Sequence, residues 1–277
     1  MKILVTNDDG IDSPVLTLLA DALAPFHSIH VIAPATDQSG MSQAFTHGTE
    51  KFLRFHRDDQ KPYSRIQVFG TPCDCVKFGI AHLQPDEPFD LILSGINLGE
   101  NAGMSAIYSG TVAAAREGAM WGIPALAVSV WKNAPDHLDY AVKWIVRLLA
   151  PKPESPQQSN PALTLALPIK PGGLWNINFP PCDPGDIQGY EFTTMSTVMF
   201  ADSYENVLTQ HHLTQYRLVG YKPHAQFLPG TDDHVLAHNK IAITPLQVDQ
   251  SDLAEKNRLS QCKLFEEIPG AILQDFP

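Results

Sequence analysis

The order of hydrophobic patterns constrains this chain more than any single motif. Through the first 150 residues, short apolar runs alternate with longer stretches of helical period. Ile3, Leu4 and Val5 read as a buried strand ended by a turn over Asn7, Asp8, Asp9 and Gly10. Ser13 is placed to cap a helix with Pro14 in its first position, running to about Pro25 with Val15, Leu16, Leu19 and Leu23 inward. "SIHVIAP" (28–34) is a second strand, and residues 50–70 read as two strands around a polar turn. Residues 71–83 form a helix that opens on a variant capping box, with Thr71 as cap, Pro72 next and Asp74 three residues on. "FDLILSG" (89–95), a helix over 108–122, "PALAVSV" (124–130) and an amphipathic helix over 137–150 complete the series. Such alternation predicts an α/β fold, with a Rossmann-like, mostly parallel sheet covered by helices on both faces.

After residue 150 the pattern changes. "PKPESPQQSNP" (151–161) reads as a linker or exposed loop, residues 174–180, 189–200 and 212–221 alternate like antiparallel strands, and 239–246 is another strand. Residues 251–268 read as a helix, and "PGTDDHV" (229–235) as a helix start with Asp232 or Asp233 as cap. Residues 1–150 are therefore expected to form the catalytic core. Residues 151–277 would complete it and add a β-hairpin and C-terminal helical arm used in oligomerisation, within one structural domain. So few hairpin strands cannot enclose a core alone, and packing on a second subunit predicts a homodimer or tetramer.

With 277 residues, 44% of them hydrophobic, the chain is long enough to bury a sizeable core. The formal net charge is −11 with no block of Lys or Arg, so a nucleic-acid polymer is not an expected partner. A small anionic ligand would have to be held by local devices against the global field. No apolar run reaches transmembrane length, and no signal-peptide layout opens the chain. The four cysteines are scattered, Cys73 and Cys75 as C-x-C, which suits reduced core thiols in a cytoplasmic protein.

Open parallel sheets keep their sites at the carboxyl ends of strands. The first such end delivers Asp8 and Asp9 side by side, and two adjacent carboxylates repel unless they face water, cap a helix or hold a cation. The loop after the second strand carries Ser39 and Gly40; the loop after "FDLILSG" carries Asn97, Asn101 and three glycines. All are oxygen donors, which suits magnesium, manganese or calcium better than zinc. One divalent ion, Mg or Mn, is the expected cofactor. In "YSGTVAAAREG", Ser109, Gly110 and Thr111 sit at a helix amino terminus, where free N–H groups and the helix dipole suit a phosphate, although simple capping by either hydroxyl would use the same residues. The Walker pattern is absent.

Taken in order, "ILVTNDDGIDSP", "QSGMSQAFT", "GTPCDCV", "SGINLGENAG", "YSGTVAAAREG", "NINFP" and "ITPL" resemble the SurE family of metal-dependent nucleotidases, from Met1 to about Leu246. The resemblance implies a Rossmann-like core, an arm exchanged between subunits and hydrolysis of nucleoside monophosphates, here expected to be 5′- or 3′-monophosphates. It also implies a cation on the residues matching Asp8, Asp9, Ser39 and Asn97; Asp8 and Asp9 are then the expected catalytic residues, since either could accept the proton of a metal-bound water. Asn101, Ser109, Gly110, Thr111 and Gly40 would then bind the phosphate. Val15 after "DSP", Cys73 in "GTPCDCV" and the "HNK" lead into "IAITPL" depart from the family's usual residues, and none is an expected ligand. The competing function is a non-enzymatic nucleotide or metal sensor on the same scaffold. A dinucleotide oxidoreductase is disfavoured because no G-x-G-x-x-G turn follows the first strand. His47 is a candidate acid for the leaving group, and His211 and His212, adjacent on a strand, would point to opposite faces.

Overall fold

A computed structural model describes residues 1–48, 52–56, 61–83, 88–131, 137–150, 168–210 and 212–261. In chain order the strands are β1 (Lys2–Thr6), β2 (Ser28–Pro34), β3 (Leu53–His56), β4 (Ser64–Val68), β5 (Leu91–Leu98), β6 (Ala125–Val130), β7 (Leu174–Asn178), β8 (Tyr190–Phe192), β9 (Ser203–Gln210), β10 (Leu213–Val219) and β11 (Ile241–Leu246). The helices are α1 (Pro14–Leu23), α2 (Pro72–Phe78), α3 (Ser105–Tyr108), α4 (Gly110–Met120), α5 (His137–Leu149), α6 (Asp232–Ala237) and α7 (Leu253–Ser260).

Nine strands form one sheet in the order β3-β4-β2-β1-β5-β6-β7-β11-β8. The six from β4 to β7 are parallel; β3 runs against β4 at one edge, and β11 runs against β7 at the other with β8 parallel to it. The second half of the chain thus completes the sheet. Alternate residues explain why the central strands are apolar throughout. Ile3, Val5, Leu91, Leu93, Leu126 and Val128 pack with α1 and α5 on one face. Leu4, Ile32 and Ile92 face α2 and α4, where Gly79 and Gly118 let those helices press onto the sheet; a Cβ there would lie 2.4 Å from Leu4 and 2.3 Å from Ile92. No described helix is long and apolar enough to cross a membrane.

Local signals set several boundaries. The Thr71 box forms as expected: the Thr71 hydroxyl accepts from Asp74 N–H and the Asp74 carboxylate accepts from Thr71 N–H. The helix keeps α geometry only to Phe78, then widens into a single π-type turn over Gly79–Leu83. Ser13 occupies the N-cap of α1 but its side chain makes no capping bond, and Pro14 supplies the start signal. The helix expected over 108–122 divides into α3 and α4 at Ser109, which is extended. The strand expected over 189–200 is paired only at Tyr190–Phe192, and β10 pairs with β9, a strand that no pattern had singled out. The expected linker at 151–161 and the end of the 251–268 helix lie outside the described residues, as does His211.

By contact the chain divides into two units, Met1–Leu246 and Gln247–Pro277. The second contains α7, capped by the Asp252 carboxylate, which accepts from Glu255 N–H at 2.8 Å.

Candidate active site

Strand β1 ends at Thr6, and Asn7 closes the turn that follows. Its Nδ2 donates to the Gly10 carbonyl at 3.0 Å and its Oδ1 accepts from Gly10 N–H at 3.2 Å. Gly10 has φ +103°, and a Cβ there would stand 3.3 Å from the Thr36 backbone, so the turn sits hard against the loop after β2. Asp8 and Asp9 are held between these two residues.

Asp8 is almost fully buried and is gripped by the start of α4. Thr111 donates twice, its hydroxyl to Asp8 Oδ1 at 2.6 Å and its backbone N–H to Oδ2 at 3.1 Å. The Asp8 carbonyl accepts from Gln38 N–H at 2.7 Å, which ties in the loop that carries Ser39. Gly110 makes this approach possible, since a Cβ there would lie 2.9 Å from both Cβ and Oδ2 of Asp8 and 3.2 Å from the Gln38 carbonyl. Segments 7–10, 36–42 and 107–111 are thereby brought together across more than 100 residues of chain.

The electrostatics are uncompensated. Burial raises the Asp8 pKa, opposed by the Thr111 hydrogen bonds and reinforced by Asp37. Asp9 is pushed up to about 6, first by burial and then by the charges of Asp8 and Asp37. Among the described residues no hydrogen-bond donor or cationic side chain pairs with the Asp9 carboxylate. Among the described residues these carboxylates meet no cationic side chain, and their mutual repulsion adds to the effect of burial.

The remaining expected donors are distributed as follows. Ser39 donates its hydroxyl to Asp37 Oδ2 at 3.0 Å and its N–H to Asp37 Oδ1 at 3.1 Å, and Gly40 follows at φ +74° with open space around it. Asn97 lies at the end of β5, one strand over from β1, beside Ser129 of β6. Its Nδ2 donates to the Gly99 carbonyl at 2.8 Å, which leaves Oδ1 without a donor among the described residues. Ser109 caps α4, its hydroxyl accepting from Val112 N–H at 3.1 Å. Asn101 is occupied on three sides: its N–H donates to Asn178 Oδ1, its Nδ2 to Ser129 Oγ, and its carbonyl accepts from Asn176 Nδ2. Ser109, Thr111 and Asn101 therefore act within the protein as cap, clamp and loop anchor, while the Gly110 N–H has no partner among the described residues.

Sequence reasoning missed Asp37. The signal was the D-x-S spacing before Ser39, which in a loop also describes an ordinary Asx turn. It also placed Asp232 or Asp233 as a cap; instead Thr231 holds the N-cap position, and Asp232 accepts N–H bonds from Gly103, Ser196 and Asp233, clasping two loops. His47 is exposed, 6.3 Å from the Phe45 ring. Among the described residues no group of three or more His, Cys, Asp and Glu has the arrangement of a metal site.

A doubly covered, mostly parallel sheet with acidic residues outside the carboxyl ends of its central strands defines a Rossmann-like α/β protein. More narrowly, the chain belongs to the SurE family: the family described as "Survival protein SurE" matches residues 3–202. A relative from Methylococcus capsulatus, "5'-nucleotidase SurE", is 35% identical over 272 residues, covering 98% of this chain and 99% of its own length. Another of the same name, from Methylobacillus flagellatus, is 36% identical over 94% of this chain and 98% of its own. The crystal structure of the SurE protein from Aquifex aeolicus aligns with TM-score 0.69 and 25% identity over 96% of this chain and all of that one.

Proposed function

We propose that this protein is a 5′-nucleotidase, a phosphomonoesterase that releases nucleoside and phosphate from nucleoside 5′-monophosphates, with 3′-monophosphates as further substrates. The observation that carries the reading is the half-buried Asp9 carboxylate, beside Asp8 and Asp37 and without a counter-ion among the described residues. The relatives that match nearly the whole chain carry that activity in their names.

The donor set fits a hard divalent cation, magnesium or manganese. Asp8 and Asp9 contribute charge, Ser39 an oxygen whose own proton is directed to Asp37, and Asn97 a side-chain oxygen with no donor among the described residues. Bound there, one such ion per subunit would supply Lewis-acid activation of water and of the phosphoryl group. The protein's own parts divide the rest. Asp8 is immobilised by Thr111 and cannot turn towards phosphorus without breaking two hydrogen bonds. Asp9 carries the free carboxylate oxygens and takes the proton of the attacking water. The Gly110 N–H, backed by the α4 dipole and the Ser109 cap, meets negative charge on the phosphoryl oxygens, and the open turn at Gly40 leaves room beside it. No lysine lies in the three strand-end loops to support a covalent aspartyl-phosphate, so hydrolysis is a single displacement by water.

Release of phosphate from AMP or GMP, abolished by EDTA and restored by Mg²⁺ or Mn²⁺, tests the reading. Asp8→Asn and Asp9→Asn should each abolish it while the protein stays folded. Nucleotide or metal binding without turnover would establish the sensor instead.

A further inference from the structure

We infer that Tyr108 is the platform on which the nucleobase of the substrate stacks, an inference that rests on the 5′-nucleotidase reading and gives it a specificity residue.

The turn that carries Tyr108 is built with unusual care for a residue left in water. Ser42, on the Ser39 loop, holds φ +51°, a left-handed conformation disfavoured for a residue with a Cβ. Such strain persists only where the surroundings over-determine it, and it gathers at functional sites. Here the over-determination is visible. Ser42 N–H donates to the Tyr108 carbonyl at 3.0 Å, and Ser42 Oγ to the Ile107 carbonyl at 2.7 Å. Ala106 and Ser109 nearby in the chain are buried, yet Tyr108 is 57% exposed. Among the described residues its ring meets no other aromatic ring and no cation. A rigid backbone thus presents an unpartnered aromatic face.

Its position ties that face to the chemistry. Thr111, which grips Asp8, is three residues further on, a separation of at most about 10 Å. A nucleotide whose phosphate meets the Gly110 N–H therefore has its base within reach of Tyr108. Met41 and Phe45, on the loop pinned by Ser42, are also exposed, at 41% and 53%. Lys77 already lies over the Phe45 ring at 4.9 Å, which leaves Tyr108 as the open platform. Every base offers a π-face, so stacking of this kind secures a nucleoside without demanding one base, and it is strongest for the larger purines.

The experiment compares AMP with ribose 5-phosphate, which has the same phosphate and sugar and no base. In Tyr108→Ala the ratio of kcat/KM for AMP to that for ribose 5-phosphate should fall on the order of tenfold, chiefly through KM for AMP. Tyr108→Phe, which keeps the stacking face, should restore the ratio. Equal losses on both substrates would overturn the inference and make Tyr108 a prop of the α4 turn. No loss on either substrate would overturn it as well, and a changed sedimentation coefficient alongside would assign the ring to contact with a second copy of the chain. Should the wild-type protein hydrolyse ribose 5-phosphate but not AMP, the nucleotidase reading itself fails and this inference falls with it.

Discussion

Replacing Gly110 with alanine sets two effects of opposite sign against each other. Alanine is the better helix former, by at most about 1 kcal/mol. The new Cβ, however, would stand 2.9 Å from Cβ and Oδ2 of Asp8 and 3.2 Å from the Gln38 carbonyl, and neither neighbour is the free end of a flexible side chain. Overpacking of this kind costs about 1–3 kcal/mol. Moving Asp8 to relieve it strains the bonds from Thr111 at 2.6 and 3.1 Å, and hydrogen bonds to a charged group contribute roughly 1.5–3 kcal/mol. Crowding wins, with a net loss of roughly 1–3 kcal/mol and a fall in Tm of several degrees. The effect on turnover should be larger, because a displacement near 1 Å at a reacting site costs on the order of 100-fold. Gly185→Ala is the control, since a Cβ there meets nothing within 4 Å. Thermal unfolding and AMP hydrolysis, measured side by side, decide the matter. A Gly110→Ala protein with raised Tm and near-normal kcat would refute the account of how α4 meets Asp8.

Four further outcomes are expected. In EDTA, the raised pKa of Asp9 makes its stabilising contribution complete below about 3.8 and lost as pH rises through about 6, so Tm should decline across that window. Asp9→Asn should flatten the decline, and Mg²⁺ should raise the wild-type Tm more at neutral pH than at acid pH; an identical pH profile in the variant would contradict this. Asp233→Leu removes the nearer of two carboxylates from the buried Lys222 ammonium, which donates to Asp233 Oδ1 at 2.9 Å and the Ala102 carbonyl at 2.8 Å and has Glu100 at 3.9 Å, and urea unfolding should register a loss of about 3 kcal/mol, largely recovered by adding Lys222→Met. In heavy-oxygen water a single turnover should place the label in released phosphate, whereas label in an Asp8 or Asp9 side chain would establish a covalent route. The β9–β10 hairpin exposes Tyr204, Leu208, Leu213, Tyr216 and Leu218, so sedimentation should show a dimer or tetramer that loses subunits when a short turn replaces the hairpin; a compact monomer at micromolar concentration would exclude that use of it.

The features legible in the sequence are those whose physics is local. Strands β1, β2, β5 and β6 announce themselves because a strand buried on both faces is apolar at nearly every position. The Thr71–Asp74 box is readable because its donors and acceptors lie three residues apart. Asp8, Asp9, Ser39 and Asn97 could be proposed together because strand order alone puts their loops on one rim. The tertiary structure decided what each polar group is joined to. Strand β9 has every residue exposed, so no hydrophobic period marks it, and only its pairing with β10 makes it a strand. Thr111, read as a phosphate donor, is joined to Asp8, a carboxylate 103 residues earlier. Asn101, read likewise, is anchored by residues of β6 and β7. Asp37 acquires its meaning from a neighbourhood of charge that no window of sequence contains. Apolar side chains are interchangeable enough for a period to predict their burial, whereas a hydrogen bond needs one donor and one acceptor within about 3 Å, and only the folded chain selects that pair.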